Sequence, residues 1–291
     1  MISAKIIKDS ISPTGKRIIT YELEYPRFIH SELMTHRAFS RNAASSRAIP
    51  ISTMLRLVWN NPATPIHWGK YQSGMSAKEE LTGFRLWISK KLWNVSGKVA
   101  CVFAWSMWKA GLAKQVVNRI VEPWSHIKVV VTATDYDNWE HLRRHPAAQP
   151  EIHRLADEMF IEKEKSFSTL MNYGEWHLPY VTRIAHPHFD DIMYHAKPIG
   201  TDVVYNKENL FNLETAKRVS ASLCAQVSYR KSDESIDKAL RIYDTLVNNK
   251  PVHASPFEHQ ATPLKDPNES SGNFKGWLQY RQLIKDNVYI K

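Results

Sequence analysis

The sequence predicts an α+β protein, an antiparallel or mixed sheet flanked by helices, formed as one domain over residues 1–291. Three observations lead there: a β-branched and aromatic segment near the start, a second β-branched run at Val129, Val130 and Val131, and apolar residues at helical spacing through most of the remaining chain.

Residues 4–8 and 17–23 read as strands joined by the turn signal Ser12-Pro13-Thr14-Gly15, so a hairpin is expected. Residues 28–47 mix apolar and polar residues at helical spacing and stop before Pro50, which predicts a helix. Pro62, Pro65, Gly69 and Gly74, with few apolar neighbours, mark residues 60–76 as an irregular loop or lid, and Ser76 is a candidate cap for the next helix. Residues 77–121 suit two helices with a break near 94–97; the second, rich in Trp and Ala, is expected to be largely buried. The valine run fits a short buried strand. Helices are expected over 137–145, ended by Pro146, and over 151–173, 213–228 and 235–248. Residues 174–212, crowded with His, Pro and aromatics, show no period and read as loop with short elements.

An apolar fraction of 43% is that of a globular protein with a sizeable core. Lys5, Lys8 and Asp9 near the start argue against a secretory signal, and the longest apolar run, 99–108, is too short for a bilayer and typical of a buried helix. A cytoplasmic protein without a membrane span is expected. Cys101 and Cys224 stand outside any CxxC or Cys/His spacing and read as packing residues. A net charge of +10 favours phosphate-bearing partners without choosing among nucleic acid, small nucleotides and plain solubility.

Three segments carry candidate chemistry. Residues 35–47 gather Arg37, Arg41, Arg47, Ser40, Ser45, Ser46, His36 and Asn42. Guanidinium groups bind phosphate through paired hydrogen bonds and Ser and Asn add neutral donors, so the cluster suits a nucleotide, or equally a solvated polar helix face. Residues 253–259 place His253, Ser255, Glu258 and His259 around Pro256, a hydrogen-bonding turn rather than a metal site, for which no third ligand has a diagnostic spacing. In residues 138–152, Asn138, Leu142 and His145 share a helix face while Arg143 projects elsewhere, and His141 and His145 read as surface residues. Arg119 is a further cation, for which a simple ion pair is the plain alternative.

Together these segments resemble the flavin-dependent thymidylate synthase (ThyX) family. The family's RHR motif, continuing x-x-S-x-N-x-x-S-x-R, is matched by His36 and Arg37 followed by Ser40, Asn42, Ser45 and Arg47; its H-x-S-P-F-E-H signature stands whole at 253–259. A third stretch, N-x-x-x-L-R then A-Q-x-E-I, is matched by Asn138, Leu142, Arg143, Ala148, Gln149, Glu151 and Ile152. In the commoner members SPFEH precedes RHR, whereas here it comes after, which looks like a circular permutation; residues 222–229 resemble the segment leading to SPFEH.

The resemblance implies a ThyX-like fold and an FAD enzyme that methylates dUMP to dTMP, with methylenetetrahydrofolate supplying the carbon and NADPH reducing the flavin. It implies that Arg143 is the catalytic arginine at the pyrimidine, that Glu32, Ser45, Ser46, Arg47, Arg119 and Arg143 bind the nucleotide, and that His36, Arg37, Ser40, Asn42, Asn138, His253, Ser255, Glu258 and His259 line the FAD site. A homotetramer without metal, membrane or nucleic-acid partner is implied by the same likeness. The chain departs from the pattern at Thr35 (the first arginine of RHR), Glu32 (a usual glutamine) and Ala43 (a usual acid), so a dUMP or dCMP hydroxymethylase is carried beside it. The reading from another class is an inactive nucleic-acid-binding protein that stacks bases on Trp68, Tyr71 and Trp87, although Trp87 is expected to be buried in packing.

Overall fold

In the computed structural model, which describes residues 2–74, 77–184, 192–196, 210–227 and 235–288, the expected hairpin is β1 (Ser3–Ile11) and β2 (Arg17–Pro26). Its turn closes through Gly15 N–H to the Ser12 carbonyl at 2.9 Å, with Gly15 at φ 81°, a left-handed conformation that glycine adopts without a Cβ penalty. The valine run lies inside β4 (His126–Ala133), antiparallel to β2 from Ile19 opposite Ala133 to Pro26 opposite His126.

The five-stranded order is β3-β4-β2-β1-β5, where β3 (Ser40–Ala43) is an edge strand on β4 and β5 (Thr169–Leu170) runs parallel to β1. The sheet is therefore mixed, and the α+β expectation is met. Side chains alternate across it. Tyr21, Leu23 and Tyr25 with Ile127, Val129 and Val131 are buried on one face, covered in part by α6 (Pro150–Lys165) through Ile152, Leu155 and Met159. The opposite face carries Thr20 and Thr132, over which the 253–259 segment and residue 177 pack.

Beside the sheet, α2 (Ile51–Asn60), α3 (Gly83–Lys109) and α4 (Lys114–Ile120) enclose a second core of Met54, Val58, Ala100, Cys101, Ala104 and Val117. On the other side α7 (Leu213–Ala225) packs on α8 (Ile236–Asn248), which Ser235 caps through its hydroxyl. Cys101 and Cys224 are both buried, in keeping with packing roles.

Four expectations need correction. The helix over 28–47 is replaced by a short helix α1 (His30–Met34) and then β3, because residues 40–43 find ladder partners on β4, and tertiary pairing outweighs local spacing. The break near 94–97 does not occur. Gly97 lies inside α3 for a packing reason: a Cβ there would sit 3.0 Å from the Trp124 ring. The Trp-rich half of α3, run 99–108 included, is not largely buried, since Val102, Phe103 and Trp105 are each more than half exposed, and Trp87 is 53% exposed as well. The helix over 151–173 ends at Lys165, after which residues 169–170 join the sheet. The helix expected over 213–228 stops at Ala225, while Ser76, part of 174–212 and residue 228 lie outside the described residues. No helix among the described residues is long and apolar enough to cross a membrane.

Candidate functional site

Two of the three motif segments meet directly. At the end of α1, Thr35 and His36 face α5 (Asp137–Arg143), whose last residue reaches across. The Arg143 Nε–H donates to His36 Nε2 at 2.9 Å, and its Nη2 donates to Thr35 Oγ1 at 3.1 Å; Thr35 in turn donates to the Glu32 carbonyl at 2.7 Å. The His36 ring is buried, edge-on to Trp139 and stacked on Phe39. Burial, then the Arg143 and Arg41 guanidinium charges, push its pKa down to about 4, so it is a neutral acceptor for Arg143 with its own proton on Nδ1. Burial raises the Glu32 carboxyl above its ordinary range, against the lowering pull of Arg143 and with a further raising contribution from Glu151.

Thr35, where the ThyX pattern has arginine, is thus an acceptor for Arg143. A guanidinium at that position cannot accept, so the substitution and the Arg143 orientation belong together. Arg41, counted in the sequence only as part of a cationic cluster, donates to the Met34 and His36 carbonyls at 2.9 and 3.0 Å and closes the end of α1.

The third segment forms a turn of 3-10 helix, Ser255–Glu258, packed against β3. A polar knot joins them: Gln279 Nε2 donates to Ser40 Oγ at 3.2 Å and to Asn273 Oδ1 at 2.8 Å, Asn273 Nδ2 donates to the Ala38 carbonyl at 2.9 Å, and Arg281 pairs with Glu258. Asn42 donates to the Cys224 carbonyl at 3.2 Å, tying β3 to α7. His259 is completely buried, with its pKa driven down to about 3 by burial.

Ser45, Ser46, Arg47 and Arg119 form a separate group beyond the other end of β3. Buried Asn118 donates to the Ser46 and Ile49 carbonyls at 2.8 and 3.0 Å, which fixes the loop. Arg119 pairs with Glu122 at 3.2 Å, and Arg47 is exposed. The chain therefore brings Glu32, His36 and Arg143 together at one end of β3, with Asn138 on the same short helix as Arg143, and the Ser/Arg loop at the other, with the 253–259 turn alongside.

The residues assigned to FAD by resemblance divide by environment. Ser40, Asn42, Glu258 and His259 are buried or half-buried and bonded within the protein, while Arg37, Asn138, His253 and Ser255 are exposed donors of the kind that hold phosphate and ribose. By chemistry that donor set suits the phosphate and ribose of a dinucleotide, with only His253 and Ser255 standing on or beside the turn itself. Gln279, Asn273, Arg281, Thr132 and His177 were not singled out in the sequence; no spacing marks them, because each works only through tertiary contact.

The chain matches no family model and no curated protein. Among solved structures it is similar to the UMP/dUMP methylase PolB from Streptomyces cacaoi. The complex with 5-Br UMP gives a TM-score of 0.48 at 15% identity over 57% of this chain and 89% of that one, and the complex with 5-Br dUMP gives 0.44 at 14% over 57% and 91%.

Proposed function

We propose that the protein is an FAD-dependent enzyme of the ThyX kind, which transfers a one-carbon unit from methylenetetrahydrofolate to carbon 5 of dUMP, with NADPH as reductant. The single observation that carries this reading is the meeting of motif segments far apart in the chain: Arg143 is seated on His36 and Thr35, and the 253–259 turn lies against the β3 strand just beyond them. FAD, when bound, supplies the redox chemistry. The protein supplies orientation and charge. Arg143 commits its Nε–H and one Nη2–H to His36 and Thr35, which leaves three N–H groups of a permanently charged fork for a pyrimidine carbonyl that gains negative charge as carbon 5 reacts. Neutral His36 holds the fork without adding a competing charge.

The phosphate end of the nucleotide belongs to Ser45, Ser46, Arg47 and Arg119, at the far end of β3 from Arg143. A homotetramer is part of the same reading, since a second copy is the simplest way to bring one such loop beside another copy's arginine. What supports it further is the outward side of α3, where Phe84, Leu92, Val95, Val99, Val102 and Phe103 stand exposed opposite the buried side. A helix apolar on both sides is normally covered on both.

Purified protein incubated with dUMP or dCMP, methylenetetrahydrofolate, FAD and NADPH tests the proposal, with the product identified by mass. A dTMP product and deoxynucleotide-dependent NADPH oxidation are expected; a 5-hydroxymethyl product selects the hydroxymethylase instead. A colourless protein that ignores FAD and binds single-stranded DNA with steep salt dependence rejects both. Exposed Trp87, stacked on Phe84 with Lys91 near its ring, is the feature that favours that outcome.

A further inference from the structure

Away from the sheet, an open groove of about 490 Å3 runs between α2 and α3. Its walls are Leu55 and Trp59 from α2 and Cys101, Val102 and Trp105 from α3, with Arg56 at its edge. Hydrocarbon lines it almost throughout, yet Trp59 is 45% exposed and Trp105 51%. Cys101 and Trp105, one turn apart, border α2, whereas the side of α3 assigned above to contacts between copies faces outward; Val102 borders both.

The charge around the groove has one sign. The three helices of this unit carry one basic residue on α2, five on α3 and two on α4, and no Asp or Glu. Lys98 Nζ lies 5.3 Å from the centre of the Trp59 ring, and Lys109 Nζ lies 5.8 Å from that of Trp105 and 5.0 Å from that of Trp108. Apolar wall and cation thus come in pairs, the arrangement that indole and lysine adopt where hydrocarbon meets phosphate headgroups. Charge and shape choose among occupants. Two copies meeting groove to groove would set these cations against one another. A nucleic-acid strand stacks its bases on open ring faces, but Trp59 and Trp105 each have an ammonium over the ring, and Leu55 and Val102 offer only aliphatic surface. Acyl chains suit that surface, and lipid phosphates suit the cations.

We propose that this groove docks the protein on the surface of an anionic phospholipid bilayer, with Trp59 and Trp105 seated at headgroup level and Arg56, Lys98 and Lys109 against lipid phosphates. The contact is peripheral, with α3 lying along the bilayer, since no helix among the described residues is long and apolar enough to cross it. This departs from the membrane-free protein that the family likeness implies, and it does not rest on the flavin reading, because none of these residues belongs to the site around β3.

The test is sedimentation of the full-length protein with phosphatidylcholine vesicles, with and without phosphatidylglycerol. Binding is expected only where phosphatidylglycerol is present, and it weakens as salt rises. One cation at such a surface is worth about fivefold in binding, so Lys98→Gln combined with Lys109→Gln is expected to lower it about 25-fold, with the urea midpoint and the mass by light scattering unchanged. Trp59→Phe combined with Trp105→Phe keeps the rings, and is expected to reduce the quenching of tryptophan emission that brominated acyl chains cause in the wild type. Equal binding to both kinds of vesicle, binding to neither, wild-type binding in the lysine variant, or quenching that stays whole in the phenylalanine variant overturns the proposal. A wild type that ignores vesicles but holds single-stranded DNA gives the groove to nucleic acid, and a lysine variant of lowered mass gives it to a second copy; either result overturns the bilayer as occupant.

Discussion

At the scale of single residues, Arg143 and the buried imidazoles carry the sharpest expectations. Arg143→Ala removes the fork aimed at the base, so turnover is expected to fall by at least about 10²-fold while FAD uptake, read by its absorbance, persists. Arg143→Lys is expected to rescue little, because one ammonium cannot donate to His36 and Thr35 at once and still present a planar fork. Normal turnover in the alanine variant removes the arginine from the mechanism. His259 and His177 make stability depend on pH. Burial holds the first at about 3 and the second well below its ordinary value, with Lys8 and His259 adding to the latter. Below about pH 6.5 the unfolded chain takes up protons that the native state refuses, so His259 lowers stability by about 1.4 kcal/mol per pH unit as pH falls toward 3, and His177 acts in the same direction. Urea unfolding at pH 7 and pH 5 checks this: the midpoint drops between the two, and the drop is smaller in His177→Phe. Equal midpoints at the two pH values in the wild type refute it.

At the scale of elements, some of the structure was legible in the sequence and some was not. The hairpin, the valine strand and the helices near 137–145 and 235–248 were readable because turn chemistry, β-branching and caps are local signals. Strand β3 was not, since Ser40–Ala43 carries no strand pattern and is extended only because β4 offers it partners. Gly97 was misread as punctuation when its missing Cβ makes room for Trp124. Gly97→Leu is therefore expected to cost about 1–3 kcal/mol through overpacking, despite leucine's better helix propensity; a urea midpoint equal to or above wild type contradicts this. The candidate site divides in the same way. His36, Arg143 and the 253–259 turn were named by motif, whereas Gln279 and Asn273, which fasten the turn to β3, have no local signature. Gln279→Ala breaks bonds to Ser40, Asn273 and the Glu258 carbonyl, and is expected to loosen the turn by about 1–3 kcal/mol, read as faster amide hydrogen exchange over residues 255–260. Unchanged exchange there assigns the turn's rigidity to its apolar contacts alone.

At the scale of the whole molecule, the proposed oligomer is expected to form through the outward side of α3. Val99→Glu and Val102→Glu each place a carboxylate on that side and are expected to shift the mass in solution, by light scattering, toward the 33.7 kDa of one chain. Assemblies of full mass in both variants exclude α3 as the contact. The order of segments has a consequence in time. During translation, the sheet strands β1, β2 and β4 leave the ribosome long before Ser255–Glu258 and Trp277–Gln279, yet the later pieces cap Thr132 and fasten Trp277 to the Lys16 carbonyl. A nascent chain halted ahead of them carries these strands with Thr132 already bonded to Thr20 but without its His259 partner, so that side of the sheet is covered only once the last segment has been made.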